Sequence, residues 1–253
     1  MGRILKELED MRWFPAEIRT YMTDYLQFLF NRFNLYAPVI PYIREMQLKT
    51  SKDKIIDLCS GSGGPWQAIF PEFRKRYGIT LKVTLTDLYP NPSKFNNETS
   101  IRYHPVPVNA LKVPVALEGI RTMFSGLHHF TEEEIAEILN DAISSKQPVA
   151  FFDSGDKNIL LILAIIISHP VLLFILSPFI KPFSIKRLIF TYLLPVVIIG
   201  CIWDGVVSII HLHSKRTLKG IVSNRAPGSF SWKVFTLRNH LGMRITCLTG
   251  VPD

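Results

Sequence analysis

Between Ile159 and Ile180 the chain reads ILLILAIIISHPVLLFILSPFI, 22 residues without Lys, Arg, Asp or Glu. About 20 apolar residues in a helix cross the hydrocarbon core of a bilayer, so this run restricts the folds open to the chain more than any other stretch. A basic KPFSIKR follows, and then LIFTYLLPVVIIGCIW adds 16 uncharged residues before Asp204. Pro170, Pro178 and Pro195 would kink or divide both helices. Three arrangements fit the pattern. The first is a kinked hairpin embedded in one leaflet with its basic residues near lipid headgroups. The second is a pair of spanning helices, which would carry Lys181, Lys186 and Arg187 to the face opposite a cytosolic domain, against the positive-inside tendency. The third is a soluble helical lid or dimer interface with a very apolar core.

The rest of the 253 residues reads as an ordinary α/β enzyme, and the 47% hydrophobic content owes its excess to residues 159–212. The net charge is +8, and from His211 onward seven Lys or Arg face a single acid, Asp253. Such a surface beside an apolar stretch favours an anionic membrane or an acidic ligand; nucleic acid would use the same charge. Cys59, Cys201 and Cys247 are far apart and form no CxxC pair, so neither a disulfide framework nor a zinc site is expected. The N-terminal MGRILKELEDMRW carries acids and lacks an apolar core, unlike a secretory signal.

Four segments follow from the pattern: N-terminal helices over 1–50, a cofactor-binding core over 51–158, the apolar insertion over 159–212, and a last helix with a strand hairpin over 213–253. In AEIRTYMTDYLQFLFNRF apolar side chains recur at three and four, after which Pro38 and Pro41 break the pattern. KIIDL, TLKVTLTD, IRYHPVPV, IRTMFSG and PVAFFDSG read as strands, the third at an edge because of its prolines. PWQAIFPEFRKRYG and the segment opened by Thr131 and Glu134, a capping box, read as helices. NPSKFNNETS reads as a polar loop, and FSWKVFTLR with MRITCLTG as an antiparallel hairpin. The expectation is an α/β fold: a Rossmann-like open sheet of about seven strands with a C-terminal antiparallel hairpin, N-terminal helices and an apolar helical insertion.

The loop DLCSGSGG follows the first strand. A dinucleotide fingerprint from Gly61 would need glycine at 66, which is Trp66, and no Gly-Lys-Ser/Thr of a P-loop occurs. What remains is an acid followed by Gly-x-Gly at the end of strand one, with Asp87 ending strand two, where an acid can accept two hydrogen bonds from ribose hydroxyls. Gly61 and Gly63 let the backbone pass close to a ligand.

On these residues the chain resembles the class I S-adenosylmethionine-dependent methyltransferases. The family's acid-x-Gly-x-Gly-x-Gly loop falls on Asp57 to Gly63, its second acid on Asp87 in LTDLYPN, and its adenine-contacting element on Val108, Asn109 and Ala110. FSGLHHF looks like the family's LHH segment after strand four. Cys59 replaces the first glycine and Asn109 replaces the adenine acid, departures that would weaken cofactor binding without excluding it. The resemblance implies S-adenosylmethionine as cofactor, held by Asp57, Cys59, Ser60, Gly61, Gly63, Asp87, Leu88, Asn109, Ala110 and Ser125. It also implies that the insertion, placed between strand five and the last helix, borders the substrate cleft.

Four residues are candidates for chemistry. His128 or His129 after strand four could serve as a base, or make ordinary contacts at a helix entry. Asp153 ends strand five at the functional edge, or caps a loop or helix. Asp204, at the end of an apolar run, could bind a substrate amine or hydroxyl, or cap the following helix. His211 and His213 lack an HExxH arrangement, so no metal is expected. The expected function is methyl transfer to a lipophilic or small-molecule acceptor at a membrane, with the catalytic domain on the cytoplasmic side and membrane lipids or that acceptor as partner. The rivals are a non-catalytic membrane protein with a methyltransferase-like fold and a nucleic-acid methyltransferase using the basic C-terminal third.

Overall fold

The computed structural model of the chain describes residues 5–91, 100–226 and 230–253. Most of the NPSKFNNETS stretch, expected to be a polar loop, lies outside the described residues. The strands are β1 (Lys54–Leu58), β2 (Lys82–Leu85), β3 (Ile101–Tyr103), β4 (Ile120–Phe124), β5 (Val149–Ser154), β6 (Phe230–Arg238) and β7 (Arg244–Pro252). They form one seven-stranded sheet in the order β3-β2-β1-β4-β5-β7-β6. β1 to β5 pair in parallel, and β7 enters antiparallel between β5 and β6. This is the open Rossmann-like sheet with a terminal hairpin that the sequence implies. Strand order reverses between β1 and β4, the switch point where a crevice opens beyond the carboxyl ends of the strands. β3 is short and lies at the edge, ahead of Pro105 and Pro107.

Helices α2 (Ile40–Thr50) and α3 (Trp66–Tyr77) cover one face of the sheet through Ile40, Ile43, Ile69 and Phe73. Helices α4 (Glu132–Ser144) and α8 (Lys215–Arg225) cover the other through Ile135, Leu139, Leu218 and Ile221. Pro41 does not break a helix here. It sits in the first turn of α2, where a missing N–H costs nothing. Both halves of the capping box form: the Glu134 amide donates to Thr131 Oγ1 at 3.2 Å and the Thr131 amide to Glu134 Oε2 at 2.7 Å.

The insertion folds as α5 (Ile159–Leu176), a tight turn at Ser177–Phe179, short α6 (Ile185–Leu188) running on to Leu193, and α7 (Val196–His211). Pro170 stays inside α5, whereas Pro195 opens α7 after a bend of 76°. α5 is long and apolar enough to cross a membrane, and almost none of it is buried. The outer side of the insertion exposes Ile167 at 69%, Phe174 at 61% and Leu193 at 75%. Its inner side packs on helix α1 (Ala16–Arg32), where Ile18, Tyr21, Met22 and Tyr25 meet Leu173, Val197 and Cys201. The basic turn also folds back on α1. Arg187 Nη1 donates to Asp24 Oδ2 at 3.3 Å, Arg187 Nη2 to the carbonyl of Pro182 at 2.9 Å, and Lys186 Nζ to Glu17 Oε1 at 3.0 Å.

The terminal hairpin depends on one small residue. Trp232 of β6 pairs with Gly250 of β7, and a Cβ on Gly250 would lie 2.2 Å from the indole. Gly250→Val must displace that ring, so a loss of about 1–3 kcal/mol is expected in a denaturant titration. An unchanged midpoint would show that the indole does not lie there.

Candidate functional site

β1 delivers the chain into the loop at the switch point, and the loop backbone then turns through left-handed conformations. Cys59 has φ 54°, Gly61 53° and Gly63 111°. Glycine adopts these without cost, whereas Cys59 holds a conformation that L side chains resist. The loop therefore holds a left-handed turn at Cys59 without a glycine there. Three contacts fix its position. The Gly61 amide donates to Asp87 Oδ2 at 2.8 Å, Tyr103 Oη donates to the Gly61 carbonyl at 2.7 Å, and Ser62 Oγ donates to Asp24 Oδ1 of α1 at 2.6 Å. Asn31 of α1 adds a clamp, donating to the Gly64 carbonyl at 2.8 Å and accepting the Ala68 amide at 2.7 Å.

Asp87 also accepts the Tyr89 amide at 2.8 Å through Oδ1. Burial raises its pKa, and the Tyr89 and Gly61 amides pull the other way. Asp57 lies deeper, accepting from Ser60 Oγ at 2.7 Å and Thr122 Oγ1 at 2.6 Å. It is 1% exposed, and burial pushes its carboxyl up to about 7.

A cavity of about 680 Å³ opens above the loop. Of the residues expected to hold a cofactor, Cys59, Ser60, Gly61, Asp87, Leu88, Asn109, Ala110 and Ser125 line it. Asp57 and Gly63 do not; they support the loop from below and behind. Asn109 Oδ1 accepts the Leu111 amide at 3.0 Å, and Ser125 Oγ lies 2.5 Å from Tyr36 Oη and 3.0 Å from Ser154 Oγ. Among the four candidates for chemistry only His129 lines the cavity.

The cavity has a roof that sequence reasoning missed. Residues 5–12, including a tight turn at Leu8–Asp10, line it on that side. Arg19 of α1 holds this strap, donating to the carbonyls of Glu9 and Met11 at 2.7 Å each while its guanidinium lies 4.0 Å over the Tyr89 ring. Asp204 holds it from α7, accepting the Leu8 amide at 2.6 Å and the Glu9 amide at 3.1 Å. Asp204 thus neither faces the cavity nor caps a following helix. The one available sequence signal was KELED, a dense acidic group at the start of a basic chain.

The strap brings acids against the two histidines. His128 Nδ1 lies 2.7 Å from Asp153 Oδ1, and His129 Nδ1 lies 2.9 Å from Asp10 Oδ2. The rings stack with centroids 4.6 Å apart, and Glu7 and Glu9 lie beyond their Nε2 atoms. Burial opposes protonation of His129, but Glu7, Asp10 and Glu9 outweigh it and hold the imidazole well above its usual range. Burial likewise drives Glu9 well above the usual carboxylate range, against the pull of His129.

No family model matches the chain, and no curated protein matches it by sequence. Among solved structures, the pyocyanin biosynthetic protein PhzM shares 11% identity over 85% of this chain and 54% of that one, at a TM-score of 0.46. The mitomycin 7-O-methyltransferase MmcR shares 12% over 92% and 53%, at 0.44. Magnesium protoporphyrin IX methyltransferase from Synechocystis PCC 6803, with bound SAH, shares 9% over 85% and 83%, at 0.44. The first solved structure compared, LepI with SAM, is covered to 43% of its length, so the chain spans about half of most of these proteins. At such scores the likeness carries no weight for activity, and the fold rests on the strand order itself.

The buried Asp57 gives a test of the loop. Its carboxyl ionises near 4 in the unfolded chain and near 7 in the fold. Between those values the native state holds the extra proton, so the contribution of this carboxyl to stability is full below pH 4 and is lost as pH rises to 7. Three units amount to about 4 kcal/mol as an upper bound. Asp57→Asn should flatten the stability profile over this window in urea titrations at stepped pH; a parallel, equally sloped profile would contradict it.

Proposed function

We propose that the chain is an S-adenosylmethionine-dependent methyltransferase that works at a membrane surface on a lipophilic acceptor. The observation that carries this is the placement of Asp87. It stands at the end of β2, tied to the glycine loop at 2.8 Å, on the wall of a cavity of about 680 Å³ at the switch point of the sheet. Small-molecule sites have this size and place.

The residues present fit the cofactor. Each Asp87 oxygen accepts one backbone amide and keeps a lone pair for a ribose hydroxyl. Gly61 brings bare backbone to the cavity wall, and Asn109 with Ala110 forms the side where an adenine would rest. The cofactor supplies an electrophilic methyl group. What the chain supplies is orientation and exclusion of water, the larger part of catalysis for an in-line displacement. His129 is the one of the four candidates for chemistry on the cavity wall, and with Glu7, Asp10 and Glu9 favouring its protonated form it stands there as a cation rather than as a base.

The membrane part rests on the insertion. Its basic turn is bonded to Asp24 and Glu17 of α1, and α1 is bonded to the glycine loop. These bonds support a tip held beside the sheet domain rather than across a bilayer. A hairpin lying in one leaflet, outer side in lipid, reconciles that with the exposed Ile167, Phe174 and Leu193. The basic C-terminal third suits the anionic cytoplasmic leaflet.

Calorimetric titration of the protein in mild detergent should give micromolar S-adenosylmethionine binding, weakened at least tenfold by Asp87→Ala. A folded wild type that binds none would leave a non-catalytic membrane protein of this fold. In flotation with anionic vesicles the protein should rise with the lipid, and replacing Ile167, Phe174 and Leu193 by Gln should leave it at the bottom. A detergent-free, monodisperse wild type that ignores vesicles would refute the leaflet placement.

A further inference from the structure

We infer that Glu7, His128 and His129 form a three-ligand binding site for a first-row divalent transition ion, with Glu9 beside it. The two histidines are prepared for this. Each gives its Nδ1 to a carboxylate, His128 to Asp153 at 2.7 Å and His129 to Asp10 at 2.9 Å. A metal-binding imidazole is oriented in just this way, its second nitrogen held by a carboxylate while the first meets the ion. Both Nε2 atoms turn toward the strap. Glu7 Oε1 lies 3.6 Å from His128 Nε2, Glu7 Oε2 3.9 Å from His129 Nε2, and Glu9 Oε1 3.6 Å from His129 Nε2. These gaps are too long for hydrogen bonds. The gaps of 3.6 Å are near the edge of a tetrahedron, about 3.4 Å, around an ion with ligands at about 2.1 Å, and Glu7 reaches the two imidazoles through different oxygens.

Burial supplies the independent observation. Glu7 is 3% exposed, and its Oε1, turned to His128, has no hydrogen-bond partner; Glu9 Oε2 is also without one. A buried carboxylate oxygen without a partner is expensive, and a cation is the occupant that would satisfy it. One donor atom from each of Glu7, His128 and His129 falls within 4.8 Å of the others. Two imidazoles with carboxylates select zinc, iron(II), manganese or cobalt over calcium and magnesium, which prefer all-oxygen shells.

Glu7, Glu9 and His129 also line the cavity, so the ion would stand at the wall of the cleft. An open coordination position there would take an oxygen or sulfur of the methyl acceptor. That last step rests on the methyltransferase reading; the ion site itself does not.

The test uses the untagged full chain in mild detergent, stripped with a chelator. Titration with Co²⁺ should produce visible d–d absorption that saturates at one equivalent, and Zn²⁺ should displace it. Glu7→Gln and His129→Gln should each lower affinity at least tenfold, and Asp153→Asn, one shell out, about 10–100-fold. Asp87→Ala should lose S-adenosylmethionine binding and keep the Co²⁺ spectrum, which separates the two proposals. A folded wild type without saturable Co²⁺ or Zn²⁺ binding overturns the inference, as does an unchanged affinity in Glu7→Gln.

Discussion

The carboxylate of Asp24 joins the two halves of this molecule. One oxygen accepts the hydroxyl of Ser62 in the glycine loop at 2.6 Å, and the other faces the Arg187 guanidinium of the insertion at 3.3 Å. Asp24 is 2% exposed and Arg187 1%, so neither charge has water to fall back on. Removing one member of such a buried pair costs about 3–5 kcal/mol, because the other is stranded. The apolar insertion is consequently not an appendage. It is bonded through α1 to the loop that floors the cleft.

The same insertion holds the roof. Asp204 on α7 accepts two strap amides, and that grip sets Glu7 and Glu9 against His128 and His129. Gly200 of α7 lies so close to Met22 of α1 that an added Cβ would come within 2.7 Å of its sulfur, which lets α7 approach α1 and bring Asp204 to the strap. Floor and roof of the cleft thus both depend on one apolar element. Any shift of α7 against α1 acts on two walls at once.

The sheet was legible because its signals are local. KIIDL, IRTMFSG and PVAFFDSG are apolar runs bounded by small residues, and Thr131 with Glu134 closes its box within four residues. The glycine loop and Asp87 were legible for a related reason: loop geometry at a strand end follows from nearby residue types. The strap was not, because Leu8 and Glu9 meet Asp204 across separations of 196 and 195 residues, which no periodicity encodes. Asp204 was noticed as an acid in an apolar run, but its partner is backbone, and backbone has no sequence signature. Pro41 misled because a proline that ends one helix and a proline that opens the next look alike in sequence.

The charge on the strap bears on the chemistry proposed for the cleft. A sulfonium is positive, and its charge disperses as the methyl leaves. The carboxylates of Glu7 and Asp10 beside the cavity would favour the cationic ground state over the transition state, binding the cofactor well and slowing transfer. His129, held protonated by those same carboxylates, offsets part of their charge. A divalent ion between Glu7, His128 and His129 would replace that proton, since a ligating imidazole is neutral, and would bring two positive charges to the same carboxylates. In that state the acids still anchor the strap while their field on the reacting sulfur is largely cancelled. The acidic strap and its two histidines therefore make better sense together than either would alone.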